Sequence, residues 1–255
     1  MISKAKLKEL STYRMQKVCV EEGLFVVEGV KMCDEALMLG LPIVTVCASR
    51  QWLESRGQQL GASEGMLILE ASDEELERIS LQRSPNQVWM LIRRNFEPAV
   101  EVPEGGCVLA LDHLQDPGNM GTIIRTADWF GIRQIVCSND TVSCFNPKVV
   151  QSTMGGLFRT HISYTDLPSY LAWAKGEGYK VFGALLDGSN VYQTPIQPGR
   201  NILVIGNESK GITPEVQQLV DQRLLIPNLG GTCESLNAAV ATAILCSEMM
   251  RSQAR

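Results

Sequence analysis

The second half of the chain alternates between short, almost wholly apolar runs and segments with a helical pattern. Near-continuous apolar strands are typical of a sheet that is covered on both faces, and parallel strands need a crossover, usually a helix, between them. The alternation therefore predicts an α/β domain built on a parallel sheet. The predicted strands are CVLALD (107–112), QIVCS (134–138), YKVFGALL (179–186), NILVIG (201–206) and RLLIP (223–227).

The first third of the chain predicts a smaller α/β domain, in which SDEELERIS (72–80) begins with a capping-box pattern. Residues 95–106, NFEPAVEVPEGG, contain two prolines and two glycines, a composition typical of a linker. The sequence thus predicts domains at 1–94 and 107–255 that are joined by this linker. The predicted strands of the smaller domain lie in LFVVEG (24–29), PIVTVCAS (42–49) and GMLILEA (65–71).

Composition excludes several kinds of protein and site. The 255 residues include eight cysteines without a Cys-x-x-Cys pair and only two histidines, so no zinc ribbon, thioredoxin site or His-rich metal site is indicated. No apolar run reaches the roughly 18 residues of a membrane span, and the start, MISKAKLKEL, lacks the apolar core of a secretory signal. We therefore expect a cytoplasmic protein with reduced, mostly buried cysteines and no metal.

Basic residues cluster at the amino terminus. The net charge of −5 argues weakly against a polyanionic partner, but residues 1–20 carry five basic side chains against Glu9 alone. Because local surface charge decides contact with phosphates, this cluster is a candidate for RNA binding, and a solvated helix face is the alternative. The candidate RNA-binding residues are Lys4, Lys6, Lys8, Arg14 and Lys17.

Three stretches with unusual polar residues each follow a predicted strand, at 116–131, 206–213 and 227–237. The carboxyl ends of parallel strands meet at one edge of a sheet, where ligands bind, so we expect these stretches to form one site. Taken singly, the residues have simpler explanations, such as a helix cap, a turn or a solvated helix charge. The candidate site residues are Asn119, Arg125, Glu208, Ser235 and Asn237.

Sites for nucleotides and for acyl transfer fit these stretches poorly. No Gly-x-Gly-x-x-Gly follows a strand, and GNESKGIT (206–213) has Ile212 where a P-loop needs lysine. No Gly-x-Ser-x-Gly occurs, and no nucleophile is evident beside a dyad of His113 and Asp116. A cofactor with both an ammonium and a carboxylate group suits these glycine-rich stretches better than a bulky anion, because backbone groups can approach it closely.

The three stretches resemble the motifs of the SpoU (TrmH-type) RNA ribose methyltransferases, which belong to the SPOUT superfamily. The N-terminal zone, through EGLFVVEGVKMCDEAL (22–37), more loosely resembles the small ribosomal-protein-like RNA-binding domain that is often fused to that catalytic domain. Two departures stand out: the third motif is one residue longer around LGGTC, and His113 stands where the family often has asparagine. The matching segments are LALDHLQDPGNMGTIIRTADWFG (109–131), LVIGNESKGIT (203–213) and LLIPNLGGTCESLNAAVATAI (224–244).

The resemblance implies a trefoil-knotted, parallel-sheet methyltransferase domain that binds S-adenosylmethionine in a bent form within the knot. It also implies a homodimer with the active site near the subunit interface, and an RNA substrate that is ribosomal rather than transfer RNA. The cofactor is expected at the backbone around Gly206, Ile226 and Leu236, with Ala184 and Leu185 on its adenine side.

The implied reaction moves a methyl group to a ribose 2′-hydroxyl, and Arg125 matches the residue to which the family assigns the role of base. Because a guanidinium stays protonated at neutral pH, we favour a role in which Arg125 orients the hydroxyl and a neighbouring phosphate. Asn119 is then expected to hold Arg125 or the ribose, and Glu208 to position that pair; Ser235 and Asn237 complete the expected set. The alternative is a catalytically inactive RNA-binding protein of the same fold, and the absent glycine fingerprint disfavours a nucleotide-dependent oxidoreductase.

Overall fold

The computed structural model describes residues 2–61, 65–82, 84, 86–94 and 106–251. The chain divides into two compact units. The N-terminal unit comprises Met1–Phe96 and Phe145–Phe158, and the C-terminal unit comprises Glu97–Cys144 and Arg159–Arg255. The segment Phe145–Phe158 thus belongs to the N-terminal unit by its contacts, although the predicted boundary assigns it to the C-terminal domain. The predicted linker 95–106, except for Gly106, lies outside the described residues.

The N-terminal unit contains a four-stranded sheet in the order β1-β4-β2-β3, in which β4 is antiparallel to both neighbours and β2 is parallel to β3. The three predicted strands and the capping box of Ser72 and Glu75 are confirmed. Strand β4 is not among the predictions, because periodicity alone cannot assign a short apolar run such as VWMLI to a strand. The elements are α1 (Lys4–Ser11), α2 (Gln16–Glu21), β1 (Leu24–Glu28), α3 (Val30–Met38), β2 (Ile43–Ala48), α4 (Arg50–Ser55), α5 (Gly57–Gly61), β3 (Leu67–Glu70), α6 (Asp73–Ile79) and β4 (Val88–Arg93).

The C-terminal unit contains a six-stranded sheet in which every neighbouring pair is parallel, in the order β10-β8-β9-β5-β6-β7. The predicted parallel sheet and its five strands are confirmed. Edge strand β7, HISYT, is not among the predictions because it is only partly buried and lacks a continuous apolar run. The remaining elements are β5 (Cys107–Leu111), α7 (Pro117–Trp129), β6 (Gln134–Ser138), α8 (Pro147–Thr153), β7 (His161–Thr165), α9 (Leu167–Gly176), β8 (Lys180–Asn190), β9 (Asn201–Ile205), α10 (Pro214–Gln217), β10 (Gln222–Leu225) and α11 (Ala238–Arg251); three short 3-10 helices lie at Thr12–Arg14, Gly156–Phe158 and Val191–Gln193.

The pairing of the central strands brings the connections that follow them together. Strands β5 and β9 are buried along their whole length, and Leu111 pairs with Ile205 at their carboxyl ends. The backbone N–H of Asp112 continues the ladder by donating to the carbonyl of Ile205 (2.8 Å). The chain therefore leaves β5 and β9 at adjacent points of one sheet edge.

Strand β8 departs from regular pairing on the other side of β9. Its register against β10 jumps from Gly183 opposite Arg223 to Ser189 opposite Leu224, so residues 184–188 lie outside the ladder. Pairing resumes at Ser189, and at Gly188, just before it, an added Cβ would lie 2.6 Å from the backbone carbon of Leu224. Only glycine allows the two backbones to approach this closely.

The helices and the cysteines of the described residues can be compared with the expectations from the sequence. No helix in the described ranges is long and apolar enough to cross a membrane. Seven of the eight cysteines are buried, as expected for small apolar side chains in a core, and Cys233 is exposed.

The segment Phe145–Phe158 is held in the N-terminal unit by aromatic and backbone contacts. The Phe145 ring lies 5.0 Å from the Phe25 ring, and the Arg94 guanidinium lies 4.5 Å from the Phe145 centroid. At the end of α8, Gly155 has a φ of 91°, and an added Cβ would overlap the carboxylate of Glu35 on α3. The segment therefore depends on a glycine both for its backbone conformation and for space.

We expect Gly155→Ala to lower the free energy of unfolding of the N-terminal unit by about 2–3 kcal/mol, since it adds left-handed strain to overpacking against Glu35. Gly40→Ala is the matched control, because Gly40 also has positive φ (63°) but has no atom within 4 Å of an added Cβ. Urea unfolding should give a loss of only about 1 kcal/mol for that control. Equal losses for the two variants would contradict the role of the Glu35 contact.

Candidate active site

The connection from β9 to α10 is a compact, closed loop, residues 206–213. Asn207 and Gly211 exchange two backbone hydrogen bonds (3.0 and 2.9 Å), and the Asn207 side-chain oxygen accepts from the N–H groups of Ser209 (2.9 Å) and Lys210 (3.1 Å). An added Cβ at Gly206 would overlap the backbone of Gly211 and Ile212. The glycine here therefore allows the two parts of the loop to approach each other closely.

Glu208 links this loop to the start of α7. Its Oε1 accepts from the backbone N–H of Asp116 (3.2 Å) and from the Asn119 side-chain amide (3.0 Å), and its Oε2 accepts from the N–H of Gln115 (3.4 Å). Asp116 caps the same helix, since its Oδ1 accepts from the N–H of Asn119 (2.7 Å). Carboxylates are stabilised at helix amino termini, where N–H groups lack intrahelical partners. The sequence Asp-Pro-Gly-Asn therefore supplies donors for Glu208 as well as the helix start.

Asn119 joins the first motif to the third. Its side chain is 8% exposed, and its Oδ1 accepts from the Asn237 side-chain amide (2.8 Å). Asn237 in turn caps α11, because its Oδ1 accepts from the N–H groups of Ala239 (2.9 Å) and Val240 (3.2 Å). The structure thus brings Asn119, Glu208 and Asn237 together in one hydrogen-bonded chain, and α7 packs against α11.

These hydrogen bonds differ from the sequence-based interpretation in two details. The hydrogen bonds of the Asn119 amide go to Glu208 and Asn237, rather than to Arg125. The cap of the last helix is Asn237, not Ser235, which is exposed and makes no side-chain hydrogen bond within the described ranges. Both Ser and Asn are good capping residues, so the sequence alone could not choose between two candidates two positions apart.

Arg125 lies on α7 beyond Asn119 and faces solvent. Within the part of the chain that the structure describes, its guanidinium makes neither a hydrogen bond nor an ion pair. Trp129, one turn further on, is 84% exposed. The helix therefore presents an unengaged cation next to an exposed aromatic ring, while the side chains of Ile123 and Ile124 are buried and anchor it to the core.

The expected cofactor residues lie at the ends of three neighbouring strands. Gly206 follows β9, Ile226 follows β10, and Ala184 and Leu185 lie in the unpaired part of β8. All four are partly buried. Leu236, in the third motif, is 49% exposed.

The lengthened third motif closes on itself around Asn228. The Asn228 amide donates to the carbonyls of Gly231 (3.0 Å) and Cys233 (3.1 Å), and its oxygen accepts from the N–H groups of Gly230 (3.0 Å) and Gly231 (2.7 Å). Leu229 at the tip is 93% exposed. The extra residue is thus accommodated in a turn that one asparagine side chain stabilises.

Sequence analysis missed Asp112, the first residue after β5. It is 1% exposed, and its Oδ2 accepts both the N–H (2.7 Å) and the hydroxyl (2.8 Å) of Thr213, which closes the far end of the 206–213 loop. A carboxylate at the end of an apolar strand is the signal that could have identified it. The dyad of His113 and Asp116 does not form: the His113 ring contacts Asp112 and Asp140, and Asp116 caps α7.

The basic amino terminus is partly neutralised within the N-terminal unit. Lys6 pairs with Glu9 (2.6 Å) and Lys17 with Glu21 (3.7 Å), both at exposed helical spacings. Leu7 and Leu10 are buried, so α1 presents its lysines to solvent. The ion pairs of Lys6 and Lys17 are compatible with the alternative of a solvated helix face. Lys4 and Lys8 are exposed, Arg14 donates to the carbonyl of Arg78 (3.5 Å), and RNA binding by the five residues stays a prediction. No group of three or more metal-ligating side chains occurs among the described residues.

A family model described as the SpoU rRNA methylase family matches residues 106–247. The chain belongs to this family. Its motifs are the three stretches that meet through Asn119, Glu208 and Asn237. A second model, described as an MRM3-like substrate binding domain, matches residues 4–89.

Relatives and solved structures match this chain over nearly its whole length. The 23S rRNA (guanosine(2553)-2′-O)-methyltransferase RlmP of Bacillus subtilis is 31% identical over 240 residues, covering 94% of each chain. A TrmH-family structure from Porphyromonas gingivalis has 37% identity and a TM-score of 0.87, covering 98% of this chain and 99% of that one. The AdoMet-bound rRNA methyltransferase from Sinorhizobium meliloti has 29% identity and a TM-score of 0.89, covering 98% and 96%.

We expect Asn237→Ala to lower the free energy of unfolding of the C-terminal unit by about 2 kcal/mol, because it removes both the α11 cap and the bond to Asn119. Asn237→Asp keeps a capping oxygen but cannot donate to Asn119, so it should cost about 1 kcal/mol. Urea unfolding of both variants measures the difference. If Asn237→Asp is as stable as the original protein, the bond to Asn119 contributes nothing.

Proposed function

We propose that this protein transfers the methyl group of S-adenosylmethionine to a ribose 2′-hydroxyl of ribosomal RNA. The observation that carries the proposal is the series of hydrogen bonds Glu208–Asn119–Asn237, which joins the three family motifs at the carboxyl edge of the parallel sheet. The names of RlmP and of the AdoMet-bound neighbour support the reaction, the substrate and the cofactor. A trefoil knot, a homodimer and a cytoplasmic location belong to the same proposal.

The residues at this edge suit the proposed cofactor. Gly206 follows β9 and Ile226 follows β10, the strands on either side of β8, and Leu236 lies further along the third motif. Apolar surface is available because Leu186 is 72% and Leu236 is 49% exposed. Such surface favours the adenine ring, and the scarcity of cations favours a ligand without phosphates. When bound, S-adenosylmethionine supplies a methyl group on a sulfonium, which leaves as a neutral thioether.

Arg125 is the residue that we assign to the RNA. Its guanidinium is free of protein partners among the described residues and stays protonated, so it can hold a phosphate and the 2′-hydroxyl in a fixed orientation. Orientation of the reacting hydroxyl is itself a large contribution to rate. Ser235, which is exposed, is a second candidate for contact with bound RNA or cofactor.

Asn119, Glu208 and Asn237 then act by positioning. Their side chains bond to one another and to helix starts, so they fix the amino-terminal half of α7, the helix that carries Arg125. A buried polar network in which each group has a partner gives one arrangement rather than several. These residues thereby set the place of the guanidinium relative to the loops expected to hold the cofactor.

We expect Arg125→Ala to lower methyl transfer to RNA at least 100-fold while leaving the affinity for S-adenosylmethionine within about twofold, because the lost contacts are to RNA. Transfer of tritiated methyl groups and calorimetry measure the two quantities. Arg133→Ala, at another exposed arginine of the same unit, is the control and should retain activity. If Arg125→Lys retains most of the activity, the planar guanidinium is not required. If the original protein binds the cofactor but transfers no methyl group to RNA, the alternative of an inactive RNA-binding protein is favoured.

For the N-terminal unit, we expect Lys8→Ala to weaken RNA binding and to reduce the slope of log K against log salt by about 0.7–0.9, the value for one phosphate contact. Lys31→Ala removes an exposed lysine from outside the basic cluster and should leave the slope unchanged. Filter binding between low and moderate salt measures both. The same slope for Lys8→Ala and the original protein would exclude Lys8 from the RNA contact.

A further inference from the structure

His113, at the carboxyl end of β5, uses all four of its polar groups. Its N–H donates to the hydroxyl of Ser138 (2.9 Å), and its carbonyl accepts from the Asn207 amide (2.8 Å). Its ring Nδ1 lies 2.9 Å from Oδ1 of Asp112, and Nε2 lies 3.1 Å from Oδ2 of Asp140. One residue thus connects the ends of three neighbouring parallel strands, β5, β6 and β9.

The backbone of His113 is in the left-handed region, with a φ of 55°. Among the described non-glycine residues, only Met154 shares a positive φ. This conformation costs free energy for residues with a Cβ, although asparagine and glycine tolerate it better, and it persists only where surrounding contacts enforce it. The imidazole contacts to two carboxylates act here together with the backbone bonds to Ser138 and Asn207.

The two carboxylates differ in their surroundings and hold the ring from opposite ends. Asp112 is buried and also accepts the two hydrogen bonds of Thr213. Asp140 is exposed, but its carbonyl accepts from the Gln115 side chain (2.5 Å), so its loop is tied to the β5–α7 connection a second time. The ring is therefore held between a fixed point in the core and a loop that is itself fixed.

The left-handed turn at His113 also affects the loop that follows β9. It directs the His113 carbonyl to Asn207, whose own side-chain oxygen holds the N–H groups of Ser209 and Lys210. Glu208 lies between Asn207 and Ser209 in the sequence and accepts a hydrogen bond from the start of α7. A change in the His113 turn would therefore shift the loop that positions Glu208.

We propose that His113 is a positioning residue: its imidazole, held between Asp112 and Asp140, maintains the left-handed turn that fixes the 206–213 loop for cofactor binding. The inference rests on the proposed function, because it is that function which places S-adenosylmethionine against this loop. Asparagine at this position would preserve the turn without the ring contacts. His113 adds a side-chain anchor to a conformation that asparagine adopts by backbone preference alone.

The test compares His113→Ala, His113→Asn and Asp140→Ala, with Asn139→Ala as the control at an exposed neighbour in the same loop. Calorimetry at a temperature where circular dichroism shows every variant folded measures the Kd for S-adenosylmethionine. We expect the Kd to rise about tenfold for His113→Ala and about threefold for His113→Asn and Asp140→Ala, with no change for Asn139→Ala. The KM for RNA should rise less than this Kd, since His113 reaches Arg125 only through Glu208 and Asn119.

Hydrogen exchange of the ligand-free protein separates failure of the positioning role from failure of the proposed function. The amides of Ser209 and Lys210 should exchange faster in folded His113→Ala than in the original protein. If the original protein binds no S-adenosylmethionine, the proposed function fails, and the exchange rates still decide the positioning role. Unchanged exchange of these two amides, or a folded His113→Ala variant that binds the cofactor as tightly as the original protein, overturns it.

Discussion

The carboxylate of Glu208 is the interaction on which the site depends. It collects donors from Gln115, Asp116 and Asn119, three groups at the start of a helix that have no partner within that helix. Charge-assisted bonds of this kind are stronger than neutral ones, and the buried amide of Asn119 would cost free energy if it were left without an acceptor. One side chain therefore joins two strand ends that are about ninety residues apart in sequence, and Asn119 extends the connection to the last helix.

This arrangement explains why the loops carry many polar side chains but few that face outward as obvious catalysts. Most of these polar side chains already have protein partners. Helix starts are bonded by Asn119, Asp116 and Asn237, and Asp112 accepts hydrogen bonds from Thr213. On the exposed face of α7, within the described residues, the guanidinium of Arg125 is without a protein partner. A reaction with a good leaving group mainly needs alignment of its two reactants, and a rigid frame with one cation is sufficient for such a task.

Much of the fold and the grouping of the motifs could be predicted from the sequence, because apolar strands between helices place their carboxyl ends at one edge. The partners within the site could not. Whether Asn119 bonds to Arg125 or to Asn237 depends on side-chain directions that only packing of α7 against α11 decides. The left-handed turn at His113 was also hidden, because histidine gives no signal for positive φ comparable to glycine. Strand β7 was missed because an edge strand needs fewer apolar residues than a central one.

The attachment of Phe145–Phe158 to the N-terminal unit bears on how such a protein could be shortened by evolution or in the laboratory. A gene fragment that encodes only the methyltransferase half would leave the Phe145 ring without Phe25 and the turn at Gly155 without Glu35. Uncovered aromatic surface of this kind promotes self-association. A methyltransferase half made alone would therefore require new polar residues on the segment Phe145–Phe158.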